Sequence, residues 1–292
     1  MVLDYHLHLW EHGPRPLEST LEQLAAYCEH AVGHGVTEIA VTEHLHRFHQ
    51  ADALLRGWWD DADDTPEMRA EMHRFWDSEL GADLDRYVEV ALAAKAEGLP
   101  VVLGLEVDHY AGRMDEVARL LDGYPFDVLL GSIHWLGAWG FDNLDSPPFA
   151  AEWDRHATED VWRRYTDALD ELAGTGTCDV LAHPDLVKVH GRFPSDAAVD
   201  ECHHRMAEAA ARTGMAAEVS SAGWFKPVGE EYPAPSLLRR FHAADVPITT
   251  ASDAHKLERV AAKRPEVRAA VTAAGYTELC AFTGRKPRVV PL

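Results

Sequence analysis

The sequence predicts an α/β barrel, and three observations carry that reading. Six short apolar runs, bounded by Gly, Pro and Asp, have the character of buried parallel strands. Each run ends in a histidine or a carboxylate. Stretches of helical periodicity separate the runs, and βα alternation on one chain implies a mostly parallel sheet, closed or nearly closed. Parallel strands in a ring bring their C-terminal ends together on one face, where such barrels keep their chemistry.

In chain order, residues 2–5 lead into His6-Leu7-His8, residues 38–42 into Glu43-His44, and residues 101–105 into Glu106. Residues 127–133 end at His134, 179–182 at His183, and 246–252 at Asp253-Ala254-His255. A further strand, 215–220, ends in Ser221-Ala222-Gly223 and carries no ligand there. These make seven strand–helix units, and 278–282 is a candidate for one more short strand. The first helix, 19–33, opens with Ser19-Thr20-Leu21-Glu22, a capping-box pattern. Leu21, Leu24, Ala25, Cys28 and Val32 then share one face at helical spacing. Other helices are expected near 83–97, 113–122, 158–173, 196–213, 235–244 and 265–274.

No linker divides the chain, so residues 1–292 read as a single domain. Residues 48–80 look inserted, being rich in acid and tryptophan directly after the Glu43-His44 strand end. Two readings fit them: a lid over the active face, or a surface excursion whose tryptophans pack on the barrel.

The chain has 292 residues, the ordinary length of one α/β barrel. Its 47% hydrophobic and 26% charged content is that of a soluble globular protein. No run approaches the length of a membrane span, and no secretory signal is expected ahead of the first strand. The formal charge is −22, from 49 acidic and 27 basic residues. Such a surface repels phosphate backbones, so no nucleic-acid or membrane partner is expected. A small anion is still admissible, because metal ions dominate the field of their own site. Cys28, Cys178, Cys202 and Cys280 form no C-x-x-C pair and read as buried thiols in a reducing cytoplasm.

The strand ends are suited to metal. In His6-x-His8 both imidazoles lie on one side of a strand, and Asp253-x-His255 repeats the spacing near the other end of the chain. One H-x-H among 18 histidines carries little weight. A set of strand ends of one kind is hard to explain as core histidines. Imidazole with carboxylate suits zinc, iron or manganese. His30 and His34 lie on a helix with no third ligand near and read as a solvated face. His73, His156, His203, His204 and His242 read as surface residues, and His46, His49, His109 and His190, just past strand ends, could line a pocket. Walker, zincin and nucleophile-elbow motifs are absent.

At this point the chain resembles the polymerase-and-histidinol-phosphatase (PHP) superfamily of metal-dependent phosphoesterases, from Asp4 to about Ala261. Asp4-Tyr5-His6-Leu7-His8, Thr42-Glu43-His44, Gly104-Leu105-Glu106-Val107-Asp108, Gly131-Ser132-Ile133-His134, His183-Pro184-Asp185-Leu186 and Ser252-Asp253-Ala254-His255 look like its successive motifs. Residues 182–188 and 218–233 are similar to the histidinol-phosphate phosphatase branch, the second stretch containing Ser221-Ala222-Gly223 and Lys226-Pro227-Val228-Gly229.

The resemblance implies a distorted (β/α)7 TIM-like barrel with three divalent transition-metal ions (Zn, Fe or Mn) at the C-terminal strand ends. His6, His8, Glu106 and Asp253 would hold the first ion. Glu106, as a bridge, would join His134 and His183 on the second. His44 and His255 would hold the third, with a further ligand from the loop after the first strand. That loop departs from the common family wording, and the candidates are His12 and, beside it, Glu11. Glu106, Asp253 and His255 would be catalytic, and Lys226, Arg192 and Ser221 would face the substrate.

The implied reaction is hydrolysis of a small phosphomonoester, L-histidinol phosphate, to L-histidinol and phosphate. Metal coordination lowers the pKa of water from 15.7 to about 7, and a hydroxide shared between metals would attack phosphorus in line. The alternative enzyme is a PHP phosphoesterase for another sugar or nucleotide phosphomonoester, because fold does not fix substrate. An amidohydrolase-like enzyme would usually place a lysine at a strand end, which the ligand-bearing strands lack. A non-catalytic regulatory subunit would have lost ligands, and here the set is complete.

Overall fold

A computed structural model describes residues 1–14, 16–61, 64–143 and 145–292. Seven parallel strands make the central sheet: β1 (Leu3–Leu7), β2 (Glu38–Val41), β3 (Val101–Asp108), β4 (Val128–Ser132), β7 (Val180–Leu181), β8 (Ala216–Ser220) and β9 (Ile248–Ala251), paired in that order. All five residues of β1, β4 and β8 are buried. This burial on both faces explains why the strands read as near-continuous apolar runs. Two short strands, β5 (Trp135–Leu136) and β6 (Trp139–Gly140), form a separate hairpin.

The sheet closes where β9 meets β1. His8 N donates to the Ala254 carbonyl (2.8 Å) and Asp253 N to the His6 carbonyl (2.8 Å). Asp4 fastens the seam, accepting from Ser252 N (2.8 Å), Ser252 Oγ (2.7 Å) and Ala261 N (2.9 Å). The same contacts set the mutual register of the two ligand-bearing strand ends.

Helices α1 (Leu21–Gly33), α4 (Leu84–Ala96), α5 (Met114–Leu121), α7 (Thr158–Thr175), α8 (Asp196–Thr213), α9 (Pro235–Ala243) and α10 (Arg264–Ala274) follow the expected spans closely. In α1 the cap is Thr20, whose hydroxyl accepts from Gln23 N at 3.1 Å. The cap therefore sits one residue later than Ser19 suggested, because extended backbone at Thr20 brings that hydroxyl over the first turn, while the Gln23 side chain turns away to donate to the Leu9 carbonyl. The buried stripe is Leu24, Tyr27, Cys28 and Ala31, which leaves Val32 at its edge and exposed. The left-handed Gly176 and Gly214 stop α7 and α8. The four cysteines are free and buried.

The candidate strand at 278–282 is a strand, β10 (Glu278–Thr283), but not an eighth barrel stave. It pairs antiparallel with β11 (Lys286–Pro291) in a hairpin of its own. That hairpin sits beside the residues that lead into β4 and β7. Gly284 N donates to Asp127, and the Arg285 guanidinium holds Asp179 at 3.0 Å.

The inserted segment contains α2 (His49–Leu55), a 3₁₀ turn (Trp58–Asp61) and α3 (Pro66–Glu79). Trp59 and Trp76 are fully buried against each other, their ring centroids 5.1 Å apart. A second excursion runs from β5 through α6 (Pro147–Glu152), which sequence reading had not separated from the barrel. Ser146 Oγ donates to Glu71 Oε1 at 2.5 Å, and Ala138 N to Asp64 Oδ2 at 2.6 Å, so the two excursions are tied together.

Packing inside the sheet leaves Gly104 no room for a side chain. A Cβ there would lie 2.8 Å from Thr42 Cγ2 and 2.9 Å from Val128 Cγ1. Gly104→Ala is expected to lower stability by roughly 1–3 kcal/mol, the usual cost of overpacking. Chemical denaturation would measure it, and an unchanged midpoint would mean that β3 shifts freely.

Candidate metal centre

The strands deliver their ligand side chains to one buried point. Glu106, fully buried near the end of β3, is the hub. Its Oε2 lies 2.7 Å from His44 Nδ1, 3.3 Å from His6 Nε2 and 3.5 Å from His8 Nε2. Oε1 faces the other side, 3.0 Å from His183 Nε2 and 3.5 Å from His134 Nε2. Asp253 Oδ1 stands 3.7 Å from His6 Nε2 and 3.5 Å from His8 Nε2. His255 Nε2 is 3.4 Å from His44 Nε2, and its ring stacks on His8 with centroids 4.0 Å apart. The backbone at His183 (φ 27°) and Asp253 (φ 52°) is left-handed, a strained geometry for such residues. Strain of this kind persists where the surroundings over-determine it.

Hydrogen bonding does not account for this crowding. Glu106 Oε2, His44 Nδ1 and His183 Nδ1 are buried without a hydrogen-bond partner, although the first two approach within 2.7 Å. Among the described residues, four sets place their ligand atoms within 4.8 Å of one another: His6/His8/Asp253, His6/Glu106/His183, His8/His44/His255 and His44/Asp108/His134. The donor set is imidazole and carboxylate throughout, which suits divalent metal ions.

The buried groups of the cluster act strongly on one another's charge. Burial raises the Glu106 carboxyl, but the surrounding imidazoles of His44, His6 and His134 outweigh it and hold the group well below its ordinary range. Asp253 is likewise held at about 2 against burial, by His6 and His8. Burial keeps His44 and His255 well below the ordinary histidine value, the neutral form that ligation needs. In His134 burial is overcome by Asp108 and Glu106, which push it up to about 10. His6 is raised too, against its burial, by Glu218, Glu106 and Asp253.

A supporting ring of carboxylates orients the histidines. Glu218 Oε2 holds His6 Nδ1 at 2.7 Å, and Asp108 Oδ1 holds His134 Nδ1 at 2.7 Å. Such partners fix the tautomer and angle of a ligating ring. Glu43 accepts from Leu9 N (2.5 Å), Trp10 N (3.2 Å) and Arg47 Nη1 (2.8 Å), and so shapes the loop after β1. Fully buried Arg47 continues to Glu79 Oε2 at 3.0 Å. Strand alternation was the available signal for Asp108, two residues after Glu106 on one strand.

Of the two open loop candidates, His12 stands beside the rings. Its centroid is 4.6 Å from His255 and 5.3 Å from His44, with Nδ1 3.2 Å from Glu79. Glu11 instead reaches Lys256 Nζ at 3.0 Å. His203 corrects the surface reading: it is buried between α8 and α9, with Nδ1 3.2 Å from Ser236 Oγ.

A cavity of about 590 Å³ opens over the cluster, within the usual range for a small-molecule site. His44, His134, His183, Asp253 and His255 form its floor, and His12 and His46 also line it. Its walls include Phe75 and Glu71 from α3, Trp135 and Phe149 from the second excursion, and Lys226 and Tyr232 from the loop after β8. The tryptophans of the inserted segment pack inward, and one face of α3 walls the cavity. Arg192 and Ser221 are not among the lining residues. The Arg192 guanidinium pairs with Asp154 (2.9 Å) over the Trp153 ring, and Ser221 is fully buried. A single residue type at a plausible loop position could not reveal those neighbours.

The PHP domain family model matches residues 5–222 of this chain. The chain belongs to the PHP domain family. This PHP domain is 37% identical to a Deinococcus radiodurans protein named "Probable histidinol-phosphatase" over 158 residues, 54% of this chain and 58% of that protein. It is 24% identical to the "Histidinol-phosphatase" of Lactococcus lactis subsp. lactis over 291 residues, 97% and 95% of the two chains. The crystal structure of histidinol phosphate phosphatase from Lactococcus lactis, complexed with zinc, L-histidinol and phosphate, matches with a TM-score of 0.72 at 21% identity, covering 98% of each chain. At that identity the likeness speaks for the fold, and it agrees with the seven-stranded TIM-like PHP barrel. No described helix is long and apolar enough to cross a membrane.

Proposed function

We propose that this PHP domain is a phosphoric monoester hydrolase that cleaves L-histidinol phosphate to L-histidinol and phosphate. The observation that carries the reading is the two-sided environment of Glu106, one oxygen toward His6, His8 and His44, the other toward His134 and His183, beneath an open cavity. The names of its relatives supply the substrate. His6, His8, Glu106 and Asp253 would hold one ion, Glu106, His134 and His183 a second, and His44, His255 and His12 a third. Bound there, such ions supply Lewis acidity and a water of lowered pKa.

The chain's own groups do the rest. Glu218 and Asp108 keep His6 and His134 aimed inward. Asp253 and His255 are partly open to the cavity, their side chains 16% and 24% exposed, where a bound phosphate would meet them. Lys226 offers a cation at the cavity wall. Hydrolysis adds a water oxygen to phosphorus, breaks the P–O bond to the alcohol, and gives the leaving alkoxide a proton. The inserted segment 48–80, through α3, serves as a lid that limits water in the cavity.

Release of phosphate by the purified, metal-loaded protein tests the assignment. Histidinol phosphate should be preferred in a panel of sugar, nucleotide and amino-alcohol phosphomonoesters. Equal or better turnover of a nucleotide or sugar phosphate would overturn the substrate. About three transition-metal ions per chain are expected by elemental analysis, given roughly three protein ligands per catalytic metal. Full activity of metal-free protein in chelator would end the reading.

Lys226→Ala should raise KM for histidinol phosphate or lower turnover at unchanged metal content. A charged contact to phosphate contributes about 1.5–3 kcal/mol, or roughly ten- to a hundredfold in kcat/KM. Unchanged kinetics would place this lysine in solvent.

A further inference from the structure

The cavity holds charges of opposite sign that the protein itself leaves unmatched. Glu71 is engaged by Arg74 and Ser146, and Glu79 by Arg47 and His12. Lys226, Asp142 and Asp145 also line the cavity, and their side chains make no hydrogen bond or ion pair within the described chain. Asp145 is exposed, but Asp142 is half-buried. It lies close enough to the floor for its charge to act on His134, and to the far wall for it to act on Tyr232. Beside it, Asn143 Oδ1 accepts from Asp145 N (3.0 Å) and Ser146 N (3.1 Å).

A half-buried carboxylate without a cation costs solvation free energy. Two other polar groups of this cavity share the condition. Tyr232 is fully buried with its hydroxyl unpartnered, and Trp135 is buried with its indole N–H unpartnered. Both residues line the same space. The accepting capacity left over beside the metal floor, the Asp142 carboxylate and the Tyr232 oxygen, is that of a site whose occupant brings its own positive charge.

We propose that Asp142 is a specificity-determining residue, which selects phosphomonoesters whose alcohol part carries a cationic amine. The inference rests on the reading given under Proposed function and refines it. L-Histidinol phosphate has a phosphate at one end and an ammonium and an imidazole at the other. With its phosphate on the floor, the ammonium donates a charge-assisted hydrogen bond to the Asp142 carboxylate. The imidazole then meets aromatic faces at Phe75 and Trp135. Sugar and nucleotide phosphates bring no ammonium and leave Asp142 unmatched, which disfavours them.

The test compares kcat/KM for L-histidinol phosphate with that for its deamino analogue, imidazolylpropyl phosphate, in wild type and in Asp142→Asn. The wild type should prefer the amine. In Asp142→Asn that preference should fall by roughly ten- to a hundredfold, the range set by a hydrogen bond to a charged group. L-Histidinol, as an inhibitor of cleavage of the deamino ester, should weaken by a similar factor. Equal preference in wild type and variant would overturn the role of Asp142 while leaving histidinol phosphatase activity standing. Failure of the wild type to cleave either ester would overturn the proposed function itself, and this inference with it. If Asp142→Asn does not fold, Asp142→Ser carries the same comparison, and a retained preference there counts against the proposal.

Discussion

Glu106→Gln is expected to remove nearly all hydrolysis while the barrel stays folded. The carboxylate is the hub from which both sides of the cluster are reached, and an amide keeps its shape but not its charge. The imidazoles around it would then face a neutral group that also presents N–H donors to ligand nitrogens. Turnover should fall by roughly a thousandfold or more, which is about 4 kcal/mol of transition-state stabilisation. One or more metals should be lost with it. Phosphate release, elemental analysis and circular dichroism on the same sample separate the effects. Wild-type turnover at normal metal content would show that Glu106 does not bridge.

Arg47→Met should produce the largest loss of stability. Arg47 is fully buried between Glu43 and Glu79 and also donates to the Trp10 carbonyl at 3.0 Å. Removing the guanidinium leaves two buried carboxylates facing each other without a cation. Breaking a buried ionic pair from one side costs about 3–5 kcal/mol. The effect should extend to the centre, because Glu43 holds the Leu9 and Trp10 amides of the loop that carries His12. Urea denaturation would read the first effect and metal content the second. A midpoint within experimental error of wild type would mean that the carboxylates find other partners or solvent.

The strands and their ligand residues were legible because two periodicities coincide in them. Burial on both faces of a parallel strand leaves an apolar run, and the side chain that follows is the first able to be polar. His6 and His8 could be paired from spacing alone. The supporting carboxylates were less legible: Glu218 lies within its strand, and nothing local says that it points at His6 across the barrel rather than into solvent. The strand at 278–282 was legible as a strand, but its hairpin partner at 286–291 was not, since β-propensity does not identify a partner. His203 has the sequence context of a surface helix residue, and only the packing of α9 against α8 buries it.

Arg192 and Lys226 show the same division among cations. Both follow β-strand ends in loops, yet Lys226 lines the cavity while Arg192 meets Asp154 and Trp153. Loop paths are decided by contacts with distant segments, which a single sequence does not display.

What the sequence by itself determined was the parallel barrel and the histidine or carboxylate at the end of each of six strands. These follow from local apolar patterning and from the rule that parallel strands share one C-terminal face. The tertiary structure alone decided which histidines meet which oxygen of Glu106, how β1 and β9 close through Asp4, and how two excursions wall a cavity with Asp142 unmatched inside it. Those features depend on approach between residues far apart in the chain, within a few ångströms. Side-chain distances of that kind are set by packing of the whole molecule, so no local pattern encodes them.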